Sequence, residues 1–118
     1  MSIQKAEGPL KQSRESWDYT DSLYRNAGAE EPYYHGWIWC RSKPYIEGRI
    51  TTPTGRVRCS MYMKAVGQSE YRGPFVTDDF FGSSIKRIQP EDFSIGWWDW
   101  KINLTWIESG SLFFRINW

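Results

Sequence analysis

The most regular stretch of the chain runs from Trp97 to Trp118. In "WWDWKINLTWI" the even positions Trp98, Trp100, Ile102, Leu104 and Trp106 are all apolar, whereas the odd ones carry Asp99, Lys101, Asn103 and Thr105 between Trp97 and Ile107. "SLFFRINW" repeats the pattern with Leu112, Phe114, Ile116 and Trp118. Successive side chains of a strand point to opposite faces, so a period of two predicts two strands, each with one buried face. The "ESG" between them suits a three-residue hairpin loop with Gly110 at its left-handed position. That loop pairs Trp106 with Leu112, Leu104 with Phe114, Ile102 with Ile116 and Trp100 with Trp118, apolar against apolar throughout. Trp97 falls on the polar face, and a core does not account for it.

A second hairpin is predicted upstream, where "YIEGRITT" and "RVRCSMYMKAV" flank "PTG". Ile46, Gly48 and Ile50 share one face of the first arm, and Val57, Cys59, Met61, Met63 and Ala65 share one face of the second. Ile50 opposite Val57 and Ile46 opposite Met61 bring every apolar residue together, and a slip of one residue undoes the agreement. "YHGWIWCR" (34–41) is apolar at both alternating sets and reads as a strand covered on both faces. Nearer the N-terminus, Trp17, Leu23, Tyr24 and Ala27 can share a helical face. Ser13 or Ser16 can cap its start and Gly28 suits its stop, so 13–27 reads as an amphipathic helix. Residues 1–12 are polar, contain Gly8-Pro9 and read as a flexible arm, leaving 13–118 as one β-rich domain. Between the hairpins, 74–77 fits a short strand, and "QPEDF" fits a helical turn with Pro90 in first place. Together these elements predict an α+β fold: a curved, mainly antiparallel sheet or small open β-barrel carrying one N-terminal helix. A β-sandwich is the rival arrangement.

Composition adds a question about the interior. The chain of 118 residues can close one core unaided, and aromatic residues make up 18% of it within a hydrophobic share of 40%. A few large rings can replace many aliphatic side chains, but rings this dense can also line a ligand cavity. Charged residues are 25% and the net charge is +1, which excludes a protein that coats nucleic acid wholesale. No apolar run resembles a signal peptide or a membrane span. Cys40 and Cys59 form neither a disulfide framework nor a metal-ligand spacing. Free thiols and a cytoplasmic location are therefore expected, without a metal or cofactor and without membrane attachment. In that compartment the "NLT" at 103–105 is not a glycosylation site.

Candidate chemistry is sparse. The single histidine, His35, lies five residues before Cys40, so on a regular strand the two face opposite sides and form no dyad. A structural role is the expectation for it. Asp78, Asp79, Glu91, Asp92 and Asp99 make an acidic group, but adjacent aspartates diverge on an extended chain and the spacing suits no calcium loop. Phosphate-loop, dinucleotide, zinc-protease and nucleophile-elbow patterns are absent. The outer face of the 45–65 hairpin is more informative, because the alternation groups Arg49, Arg56, Arg58, Tyr62 and Lys64 opposite the core. Basic side chains beside an exposed tyrosine can hold a phosphate backbone and stack a base. The plain alternative is a solvated face whose arginines pair with the acidic later segment.

Three functions follow as expectations. The first is a non-enzymatic binding protein that engages single-stranded nucleic acid or an acidic protein surface through those basic residues. The second is a β-barrel with an aromatic-lined pocket for a small apolar or sugar ligand, in which His35, Trp37 and Asp99 would sit, with room for modest acid–base catalysis. The third is a structural subunit or homo-oligomer with Trp97, Phe113 and Ile107 as its interface.

Overall fold

The computed structural model describes residues 11–12, 17–40, 43–65, 67–91 and 94–117, with side chains omitted at 11–12, 17–19 and 34–38. Among the described residues the regular structure is entirely β. The strands are β1 Lys11–Gln12, β2 Trp17–Arg25, β3 Glu30–Cys40, β4 Tyr45–Ile50, β5 Arg56–Ala65, β6 Arg72–Phe81, β7 Lys86–Ile88, β8 Gly96–Glu108 and β9 Gly110–Asn117. They form two antiparallel sheets, in the orders β1-β2-β9-β4-β7 and β3-β8-β5-β6. We refer to these as the first and second sheets.

The sheets face each other as a sandwich, and the period of two supplies both inner faces. Ile46, Ile50, Ile88, Leu112, Phe114 and Ile116 come from the first sheet; Tyr33, Val57, Cys59, Met61, Met63, Phe80, Trp100, Ile102, Leu104 and Trp106 come from the second. All are buried, with Leu23, Phe75, Val76 and Trp98 packed against them. The rings Tyr33, Phe80, Phe114, Trp100 and Trp106 are thus buried between two sheets, and the open-barrel expectation is replaced by the sandwich.

Both predicted hairpins have the correct inner faces and the wrong partners. β4 pairs with β7 and β9, whereas β5 pairs with β6 and β8. Likewise β9 lies between β2 and β4, and β8 lies between β3 and β5. Ile50 and Val57, or Trp106 and Leu112, therefore meet across the space between sheets rather than along a ladder. A flat hairpin would leave its whole apolar face needing cover from elsewhere. An arch that sends one arm to each sheet lets the two faces cover each other at the usual spacing of about 10 Å. The hairpin between long strands that does form, β5 with β6, was read only as a short strand at 74–77.

The expected helix over 13–27 is also absent, and β2 occupies most of its span. Asp18 to Arg25 pair continuously with Asn117 to Gly110 of β9. "WDYTDSLYR" places apolar residues at 17, 19 and 23, a strand-compatible set, and the eight-residue ladder outweighs a weak helical preference. Gly28, read as a helix stop, instead takes φ +95 in the β2–β3 turn. Lys11 and Gln12 of the supposed arm pair with Asp18 and Trp17. The strand over 34–41 exists as part of β3, but it is an edge strand and Trp39 on it is exposed, so its outer face is uncovered. Pro90 and Glu91 are not helical, and Asp92 lies outside the described residues.

One end of the sandwich is closed by the two arches lying against each other. Thr51 N–H donates to the Ser111 carbonyl at 2.9 Å, and Ser111 N–H donates to Thr52 Oγ1 at 2.9 Å. A Cβ added at Gly110 would stand 2.5 Å from the Thr54 carbonyl oxygen and 2.8 Å from the Gly55 Cα. Gly110 is thus required by close approach, not by the left-handed turn expected of it. The β2–β3 turn joins the same end, since Gly28 N–H donates to the Trp106 carbonyl and Trp106 N–H to that of Ala29, at 2.7 and 2.8 Å.

Cys40 and Cys59 are both free and buried. Their ladder partners on β8, Gly96 and Leu104, are about 26 Å apart along that strand, far beyond disulfide reach. Burial pushes the Cys40 thiol up to about 12. Burial first, and the Asp78 charge second, push Cys59 higher still. A native thiol-labelling time course is expected to be slow at both sites and to become fast only in denaturant, because the thiolate is the reactive form.

Candidate binding face

The second sheet turns its outer face to solvent, and the ladders fix what lies beside what. Along β8 the outward positions Trp97, Asp99 and Lys101 follow each other at about 7 Å. Trp97 is opposite Trp39 of β3, Asp99 is opposite Lys64 of β5, and Lys101 is opposite Tyr62 of β5. Tyr71, just before β6, completes the group by reaching back over it.

Trp39 and Trp97 pack edge to face, with ring centroids 5.8 Å apart and planes at 69°. They remain 47% and 52% exposed, and Ile95 beside them is also exposed. Seven residues carrying this face come from β3, β5, β8 and the loop before β6, so the sheet itself holds them in register.

Next to the indoles is a polar cluster centred on Asp99. Its Oδ1 accepts a 2.6 Å hydrogen bond from the Tyr71 hydroxyl, and its Oδ2 lies 3.6 Å from Lys64 Nζ. Lys64 Nζ sits 4.9 Å from the Tyr71 ring centroid. Lys101 Nζ sits 4.7 Å from that of Tyr62 and 5.5 Å from that of Tyr71. Cation–π contacts of this kind add about 0.5–1 kcal/mol each at exposed sites and hold the rings in place. The result is a shelf of two indoles and two phenols around one nearly buried carboxylate.

The basic residues expected to act together are divided. Arg49 lies on the outer face of the first sheet, over Phe113 at 5.9 Å. Arg56, Arg58, Tyr62 and Lys64 belong to the second sheet, on the opposite side of the sandwich. Arg58 therefore does not face Arg49 across a ladder. Arg56 Nε and Arg58 Nε donate to the two oxygens of Asp79 at 2.7 and 2.9 Å, which is the acid-paired alternative. Lys86 Nζ ties the neighbouring carboxylate, Asp78, at 3.0 Å and also bonds the Asp79 carbonyl at 2.9 Å, joining the two sheets at their open edge.

The other expected groupings also separate. Trp97 and Ile107 belong to β8 and Phe113 to β9 of the other sheet, so they form no single interface. Asp99 lies on the outer side of the second sheet, largely buried beside Tyr71 and Lys64, and not in an interior pocket. Trp37 is its ladder partner and His35 stands at an irregularity between Tyr34 and Gly36; the side chains of both lie outside the described residues. Among the described residues no group of three or more His, Cys, Asp and Glu is disposed to hold a metal. No described helix is long and apolar enough to cross a membrane.

The acid network has a measurable consequence. Partial burial works against the Asp79 charge, but the hydrogen bonds and charges of Arg58 and Arg56 outweigh it and hold the carboxyl below its usual range. The Lys86 hydrogen bond and the Asp79 N–H lower Asp78 as well. A folded-state value below the unfolded one contributes stability that is complete above the ordinary carboxylate value near 3.9 and is lost as pH falls through the lowered one. The melting temperature is therefore expected to drop below about pH 4. Asp79→Asn should flatten that drop while lowering the melting temperature at pH 7.

No protein-family model and no curated protein matches the chain. Among solved structures it is similar to a family 11 carbohydrate-binding module from Clostridium thermocellum in complex with a β-1,3-1,4-mixed-linked tetrasaccharide. The TM-score is 0.40 and the identity 12%, over 91% of this chain and 89% of that one. So weak a likeness decides nothing about this chain's site or ligand.

Proposed function

We propose that the protein is a non-enzymatic binding module whose outer second-sheet face takes a carbohydrate. The observation that carries this reading is the exposed Trp39–Trp97 pair. A folded domain gains nothing by leaving two indoles in water, and exposed aromatic surface is commonly an interaction site. Sugar rings offer C–H faces that stack on indoles and rims of hydroxyls that need hydrogen-bond partners. Asp99, Tyr71, Lys64 and Lys101 supply such partners beside the indoles. Ligand sites combine apolar surface with a few placed polar groups in this way.

Single-stranded nucleic acid would also stack on exposed rings. The basic residues of the face are already partnered: Asp79 sits against Arg56 and Arg58, and Asp99 beside Lys64, so a phosphate would compete with a carboxylate for each of these three cations. The two salt responses differ: phosphate contacts release counterions and weaken steeply with added salt, whereas stacking of a neutral sugar does not. The cytoplasmic location expected from the sequence stays part of this proposal, consistent with two unbridged, buried thiols.

The test is a glycan panel with polysaccharides in affinity electrophoresis, followed by calorimetry. Binding is expected to persist between about 50 and 200 mM salt, and Trp97→Ala is expected to weaken it at least tenfold without lowering the melting temperature. Salt-sensitive binding to an oligothymidylate, with no glycan bound, would overturn the proposal.

A further inference from the structure

The arrangement of the face goes further than the class of ligand. We infer that the site takes an extended chain of several linked pyranoses with equatorial hydroxyls, laid along β8, and not a single sugar ring. This inference rests on the carbohydrate reading above.

The face has two stations. Trp39 and Trp97 form the first, and Tyr62, Tyr71 and the Lys101 ammonium form the second. Trp97 and Lys101 are separated by four residues of one strand, about 13 Å. One six-membered ring is far shorter than that span, so contact with both stations requires several linked rings. Asp99 stands midway, on the same outward row of β8, with the Tyr71 hydroxyl and Lys64 on it. A chain bridging the stations must pass this carboxylate.

Two features select the chain. The outer face of a sheet is open along the strand direction, which suits an unbranched ligand running past both ends. Equatorial hydroxyls leave both faces of each ring as C–H surface, which is what an indole stacks on; an axial hydroxyl would stand in the way. At the second station the Lys101 ammonium, held over Tyr62 and Tyr71, donates to hydroxyls and ring oxygens.

The experiment is calorimetric titration of the whole chain with glucose, cellobiose, cellotetraose and cellohexaose. Affinity is expected to be undetectable for glucose, weak for cellobiose, and at least tenfold tighter for cellotetraose, with little further gain for cellohexaose. Tyr62→Ala should bring cellotetraose down to the affinity of cellobiose, and Trp97→Ala should remove binding of both. Equal affinity for glucose and cellotetraose, or no effect of Tyr62→Ala on cellotetraose, would overturn the two-station arrangement. Binding of some other glycan with none to these four would overturn the chain specificity and leave the carbohydrate reading standing. Binding to no glycan at all would remove both.

Discussion

Trp106→Ala is expected to lower the free energy of unfolding by about 3–5 kcal/mol, the range for deleting a large buried ring. The ring is fully buried, and its Nε1 donates a 3.0 Å hydrogen bond to the Gly110 carbonyl. Alanine removes the ring and orphans that carbonyl, a further cost of order 1–3 kcal/mol if water cannot reach it. The main-chain bonds from Trp106 to the β2–β3 turn survive the change, so the fold should persist with a lower urea midpoint and an unchanged slope. Trp97→Ala, on the same strand and the opposite face, should move stability by less than about 0.5 kcal/mol. Equal losses at the two positions would contradict the assignment of faces on β8.

Gly110→Ala should also be damaging although it adds only a methyl group. Its Cβ would stand 2.5 Å from the Thr54 carbonyl oxygen, 2.8 Å from the Gly55 Cα and 2.8 Å from Thr52 Oγ1. Two of those three are backbone atoms of the facing arch, so relief requires prising the arches apart. Overpacking of this kind costs about 1–3 kcal/mol, and rigid neighbours place the value towards the upper end. The hydrogen bonds of Thr51 and Thr52 to Ser111 cross the same contact and should weaken with it. Chemical denaturation of the variant measures the loss. A neutral result would mean that the arches do not touch at this point.

Which residues point inward could be read from the sequence; which strand each one lies beside could not. Ile46, Ile50, Val57, Cys59, Met61 and Met63 are all buried, as the alternation requires. Yet the same alternation serves a hairpin, where apolar faces align along one sheet, and an arch, where they oppose each other between two. Only the neighbours β7 and β9 of one arm and β6 and β8 of the other decide between them, and apart from β6 those contacts are distant in sequence. The misplaced Arg49 follows directly, because outward residues of a hairpin share a surface and those of an arch lie back to back. β2 was ambiguous for a different reason: Trp17 and Leu23 satisfy both a helical and a strand period, and eight ladder pairs with β9 resolve it. The candidate face was half legible. Trp97 had no place in the core pattern, and that misfit was the signal. Trp39 was hidden in a stretch apolar on both alternating faces, and Tyr71 reaches Asp99 by a loop that no periodicity describes.

The position of β9 bears on how the protein is made. It is the last in sequence of the described strands, yet it lies in the middle of its sheet, between β2 and β4. During synthesis every strand of the second sheet leaves the ribosome before β9 does. β2 and β4 must meanwhile wait without the strand that joins them. A nascent chain complete to Glu108 therefore carries Trp100, Ile102, Leu104 and Trp106 on a face whose covering Leu112, Phe114 and Ile116 do not yet exist. Such half-covered sheets, with open strand edges, are prone to associate with one another. The domain can therefore first close only once β9 itself has emerged.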